Sequence, residues 1–174
     1  MEKLTYELIR SNRRTMSVEV DSSGAVLVRA PRLMPKWRIE AFVEERFDWI
    51  QRARARQAQR QARLPQIREE DKPFYVQQAK AILPGKIHRY ARLMGVEPSG
   101  LTVTSAKTRF GSCSGKNMLS FSWRLMAYPE AAIDYVVVHE LAHIRYKDHS
   151  RAFYAFIESV LPDYRERIKL LRGA

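Results

Sequence analysis

Residues 130–146, EAAIDYVVVHELAHIRY, constrain the fold of this chain more than any other stretch. The run is apolar for most of its length, yet its second half carries His139, Glu140 and His143. Val136-Val137-Val138 alone would suit a strand. The length and the sustained apolar character instead predict a largely buried helix, and Pro129 suits a helix start. A helix of that kind must be covered by other elements, because its apolar surface cannot be left in water.

His139, Glu140 and His143 in that helix belong to His139-Glu140-Leu141-Ala142-His143, an HExxH pattern. Side chains four apart share a helix face, so both imidazoles can reach one metal ion. Glu140, beside the first of them, is placed to act as a general base on water at that metal. Buried imidazole and carboxylate groups also need partners, and a metal supplies one. His149 follows ten residues after His139, and the chain has four histidines in all. A metzincin has the same spacing, but it needs Gly where this chain has Tyr146 and a Met-turn that is missing downstream. The third ligand is therefore His149, or alternatively Glu158 on the next helix, with Glu158 favoured as a plain surface carboxylate. Three protein ligands leave an open position, which is the pattern of a catalytic zinc.

Around this helix the chain divides by pattern. Residues 4–9, 14–20 and 25–30 are short and β-rich, with turn residues at Ser11-Asn12 and at Asp21-Ser22-Ser23-Gly24. They predict a three-stranded antiparallel meander. Ile39, Phe42, Val43, Phe47 and Ile50 recur at helical spacing, and that helix runs on into QRARARQAQRQAR (51–63), which ends before Pro65 and should project or fray. A second helix is expected from Tyr75 to Met94, split or kinked at Pro84-Gly85 and capped by Gly95. Residues 101–106 and 118–123 read as strands around the loop TRFGSCSGKN, and 118–123 is the candidate edge for an extended peptide. A helix over 150–161 and a short basic helix close the chain. The domain division is 1–66, β-meander plus basic helix, and 67–174, the metal-bearing core.

Charge and cysteine content limit the function classes. There are 31 Lys+Arg against 19 Asp+Glu, a net charge of +12. Arg52, Arg54, Arg56, Arg60 and Arg63 stand in one stretch without an acid, a surface suited to weak contact with nucleic acid or polyphosphate. Aromatic residues are not interleaved with it, so a non-enzymatic nucleic-acid-binding module has little else in its favour. The single cysteine, Cys113, excludes an internal disulfide and a Cys-rich zinc site. No apolar run reaches the roughly 18 residues of a membrane span, and no secretory signal opens the sequence, so a cytoplasmic protein is expected. Arg109 in the loop and Arg124 after the strand are candidates for holding an anionic substrate group or an oxyanion.

Residues 107–172 resemble the YgjP-like metallopeptidase family, a minimal zincin related to SprT- and WLM-type proteins. The resemblance is carried by KTRFGSCS (107–114), SFSWRL (120–125), AIDYVVVHELAHI (132–144), DHSRAFY (148–154) and LPDYRERIKLLR (161–172). The N-terminal β-rich unit and its helix fit as well. Phe110 stands where the family usually has Trp. The resemblance implies an α+β fold with a zincin-like core, the HExxH helix on a mixed sheet. It implies one zinc per chain on His139, His143 and His149, with Glu140 catalytic. The function it implies is a zinc-dependent metallohydrolase acting on peptides. The alternative is a nucleoside triphosphate (UTP-type) pyrophosphatase using the same metal, to which the family is also linked.

Overall fold

A computed structural model describes residues 4–173. The fold is α+β, and the chain divides into two compact units, 1–63 and 64–172.

The first unit holds β1 (Glu7–Ser11), β2 (Ser17–Val20), β3 (Val26–Pro31), α1 (Lys36–Glu44) and α2 (Phe47–Arg63). The sheet order is β1-β3-β2, with β1 parallel and β2 antiparallel to β3. This corrects the expected meander: β2 and β3 make the hairpin, and β1 lies on the far side of β3. The cause is the strand that needs most cover. Val26, Val28 and Ala30 alternate inward and are buried, and in the centre Val28 meets Leu8 on one side and Val18 on the other. Arg10 fixes the β1 end by donating to the carbonyls of Pro31, Arg32 and Met34 at 3.3, 2.8 and 2.8 Å. In the β2–β3 turn, Asp21 Oδ1 accepts from the backbone N–H groups of Ser23 (2.8 Å) and Ala25 (2.9 Å), and Gly24 takes the positive φ of 85°.

The helix expected to be continuous from Trp37 breaks at Glu45-Arg46. There Arg46 N–H reaches Val43 O at 3.1 Å, while its guanidinium takes Phe42 O at 3.2 Å, the carbonyl that a regular turn would have used. The arginine-rich stretch also differs from its expectation, for it neither projects nor frays. Arg54 Nε donates to Gly24 O at 3.0 Å, and Gln57 and Gln61 both donate to Ser22 O at 2.9 and 3.0 Å. The helix is thus tied by polar side chains to the hairpin turn, a pairing that hydrophobic periodicity does not encode.

The second unit contains α3 (Lys72–Met94), β4 (Gly100–Thr104), β5 (Gly111–Cys113), β6 (Met118–Ser122), a 3-10 segment Trp123–Ala127, α4 (Glu130–Arg145), α5 (Arg151–Val160) and α6 (Tyr164–Arg172). Helix α3 runs through Pro84 unbroken, contrary to the expected split. Its buried stripe, Ala79, Leu83, Ile87, Tyr90, Ala91 and Met94, continues across the proline, and burial outweighs the one lost backbone bond. Gly95 ends it at φ 61°, with Gly95 N–H to Arg92 O and Val96 N–H to Ala91 O closing a Schellman motif.

The sheet of this unit is mixed, in the order β4-β6-β5. The short strand β5 lies inside the stretch expected to be loop, and the turn Ser114–Asn117 joins it to β6, with Asn117 at φ 60°. Strand β6 is therefore central, and the expectation that 118–123 offers a free edge is corrected: the edges are β4 and β5. Leu119 and Phe121 of β6, Val137, Val138 and Leu141 of α4, and Phe153 and Ile157 of α5 are buried in the core. Lys86 of α3 bonds Glu130 and Asp134 of α4, both at 2.6 Å, and Arg167 of α6 bridges Asp134 and Asp163 at 3.5 and 2.8 Å. This network pins three helices together at one flank. No helix among the described residues is long and apolar enough to cross a membrane.

Candidate metal centre

Helix α4 delivers His139 and His143 from adjacent turns of one face. It stops at Arg145, where Tyr146 N–H still reaches Ala142 O at 2.9 Å. The chain turns over Lys147-Asp148, and His149 returns towards the helix just before Ser150, whose Oγ accepts from Phe153 N–H and starts α5. The result brings His139, His143 and His149 together, with one ring nitrogen from each lying within 4.8 Å of the other two. His139 Nε2 and His149 Nε2 are 3.2 Å apart.

Two of the other ring nitrogens have partners. His143 Nδ1 lies 3.0 Å from Tyr146 O, which makes it the N–H donor and leaves Nε2 with its lone pair. The Tyr135 hydroxyl lies 3.2 Å from His139 Nδ1. Phe153, fully buried, sits under the cluster, its ring centroid 4.9, 4.6 and 4.9 Å from those of His139, His143 and His149.

These residues fit a metal ion on their chemistry. Burial and the two neighbouring imidazoles push His139 down to about 3, so it is held neutral with a lone pair to share. Two nitrogens each about 2.05 Å from a tetrahedral zinc lie roughly 3.3 Å apart. The 3.2 Å between His139 and His149 matches that, and no charged pair explains so close an approach.

Glu140 is 6% exposed and faces β5 across a close contact, where a Cβ on Gly111 would fall 2.6 Å from its Cγ. Burial raises the Glu140 carboxyl to about 7, against a smaller opposing pull from Arg109. Arg109 is exposed and has no hydrogen-bond partner among the described residues. Arg124 is engaged elsewhere: it donates to Ser105 O at 3.0 Å, pairs with Glu69 and lies over the Trp123 ring at 4.2 Å. Glu158 is exposed on α5 and outside the histidine cluster. Cys113 is half-buried, its thiol pushed up by burial, and His88 is a surface residue.

Sequence reasoning missed Tyr135 and Phe153 as parts of this centre. Tyr135 could have been found from its place four residues before His139, on the same helix face. Phe153 could not, since its contacts depend on where α5 docks.

Three imidazoles gathered around one point, next to a buried carboxylate, form a group that could hold a metal ion. The chain belongs to the YgjP-like metallopeptidase family: that domain model matches residues 14–75 and 59–174. The family implies a metal ion, and the histidine trio is able to hold one. Among solved structures, the chain is similar to the metallopeptidase zymogen of Pyrococcus abyssi abylysin, at 20% identity and a TM-score of 0.45, over 51% of this chain and 92% of that one. No curated protein matches the chain.

Proposed function

We propose that the chain is a zinc metallopeptidase in which His139, His143 and His149 hold one zinc and Glu140 is the general base. The observation that supports this most is the convergence of the three imidazoles beside buried Glu140, in a chain of this family. Bound zinc would polarise the scissile carbonyl and acidify water. Glu140 takes the proton of the attacking water on a carboxylate oxygen and later gives it to the leaving amine nitrogen. Tyr135 and the Tyr146 carbonyl keep two of the imidazoles in orientation. An extended peptide aligns on the outer edge of β5, next to Glu140, by strand addition. Arg109, with free donors near Glu140, holds the developing oxyanion or an anionic side chain. Arg124 has no part in this, since its guanidinium is already satisfied. The single unpaired cysteine fits a reducing, cytoplasmic setting.

The test is a panel of unfolded polypeptides and nucleoside triphosphates, each incubated with zinc-loaded wild type and with Glu140→Gln. Polypeptide cleavage that falls at least about a hundredfold in the variant supports the reading. Cleavage of triphosphates alone would replace it with a nucleotide pyrophosphatase.

A further inference from the structure

A groove of about 420 Å³ lies between α3 and β4, lined by residues none of which belongs to the histidine cluster. Its floor is apolar, formed by Val76, Leu101 and Val103 with Pro84 at one end. Its charged walls are Lys72 and Lys80, and no acidic residue lines it. Neither lysine has an ion-pair partner among the described residues. Of the three acids in the preceding turn, Glu69 pairs with Arg124, Glu70 pairs with Arg68, and Asp71 Oδ2 accepts from the Arg68 backbone N–H at 3.1 Å.

The backbone of β4 pairs only with β6 among the described residues, so its other edge is open. Trp123, on the groove wall, has an indole Nε1–H without a hydrogen-bond partner. Such an edge is a template for an added strand.

We propose that the groove between α3 and β4 binds an extended acidic peptide segment, with carboxylates at Lys72 and Lys80 and an apolar side chain between them. The spacing defines the segment. Lys72 and Lys80 are eight residues apart, or about 12 Å along the helix. An extended chain advances about 3.3 Å per residue, and residues i, i+2 and i+4 share a face. The matching pattern is acid-x-apolar-x-acid, the two acids lying about 13 Å apart and the apolar residue over Val76 and Leu101. The proposal concerns binding and stands whether or not the chain cleaves peptides.

The test uses the full chain and a fluorescein-labelled peptide with the core Glu-Thr-Val-Thr-Glu, followed by fluorescence anisotropy at low salt. The expected result is saturable binding, at least tenfold weaker for a Lys-Thr-Val-Thr-Lys peptide and at least tenfold weaker for Lys72→Glu/Lys80→Glu. Amide NMR shifts should centre on residues 100–105. If the charge-reversed variant fails to fold by circular dichroism, Lys72→Gln/Lys80→Gln takes its place with the same expected loss. Equal binding of the acidic and basic peptides, no binding of either, shifts elsewhere, or full affinity in the folded variant would each overturn the proposal. Displacement by polyphosphate or an oligonucleotide more effectively than by unlabelled peptide would overturn it too, pointing to a phosphate site.

Discussion

A Cβ placed on Gly111 would fall 2.6 Å from Cγ and 2.7 Å from Oε1 of Glu140, so the β5 strand and the carboxylate of the HExxH helix can adopt their positions only with glycine there. The contact joins the sheet edge to the group assigned as base. Gly111→Ala is therefore expected to push Glu140 aside while leaving the three histidines in place. Turnover of a polypeptide should fall by about a hundredfold, the scale of a misplacement near 1 Å, while zinc content by metal analysis stays at the wild-type level. Loss of both together would mean that the substitution unfolds the centre rather than shifting Glu140.

Tyr135 is expected to matter for metal affinity more than for folding. Its hydroxyl meets His139 Nδ1 at 3.2 Å, whereas its ring stacks on Tyr164 at 6.5 Å. Tyr135→Phe keeps the ring and removes the hydroxyl. Zinc affinity in a competitive chelator titration should drop by about 10–100-fold, the usual effect of removing a partner behind a ligand. An unchanged affinity would show that the hydroxyl does not orient the imidazole.

The third ligand is decided by a pair of variants. His149→Ala should weaken zinc binding strongly, and Glu158→Ala should leave it unchanged, because the Glu158 side chain stands outside the cluster. The opposite pattern in the same chelator titration would move the ligand onto α5.

Alkaline stability reports on the flank network. Burial pulls the Lys86 ammonium down, but hydrogen bonds and charge from Asp134 and Glu130 more than offset this, leaving it above its ordinary 10.5. A raised pKa in the folded chain means that this stabilisation is complete below about pH 10.4, the unfolded value, and is lost as pH rises through the folded one. The buried phenols of Tyr90 and Tyr135 are also raised, Tyr135 to about 12, and they act in the same direction. Lys86→Met should cost about 2 kcal/mol near neutral pH, the scale of hydrogen bonds between charged groups. Melting temperatures of wild type and variant should stay apart up to about pH 10.4 and converge as the pH rises above it. A gap that stays constant above that pH would mean that the ammonium charge is not what Lys86 contributes.

Local signals carried much of the site and less of the topology. His139, Glu140 and His143 are legible because one helix sets their spacing, and the buried helix 130–145 follows from its composition alone. His149 could be suspected from distance along the chain, but its approach to 3.2 Å from His139 depends on a two-residue turn and on the Ser150 cap. The order β1-β3-β2 was hidden because turn residues after Ser11 look the same whether or not the flanking strands pair. Strand β5 was hidden because three residues are too few for a period, and Gly111, Ser112 and Cys113 read as loop. The docking of Arg54 and Gln57 on the hairpin turn is polar and long-range, and propensity says nothing about it.

The most direct test of the central claim is a titration of zinc into metal-stripped protein with polypeptide cleavage as the readout. If His139, His143 and His149 form one catalytic centre, activity rises in proportion to zinc and breaks sharply at one equivalent per chain, and the His139→Ala/His143→Ala double variant stays inactive throughout. Cleavage by the stripped protein before any zinc is added, or a double variant that reaches wild-type activity at one equivalent, would contradict the account.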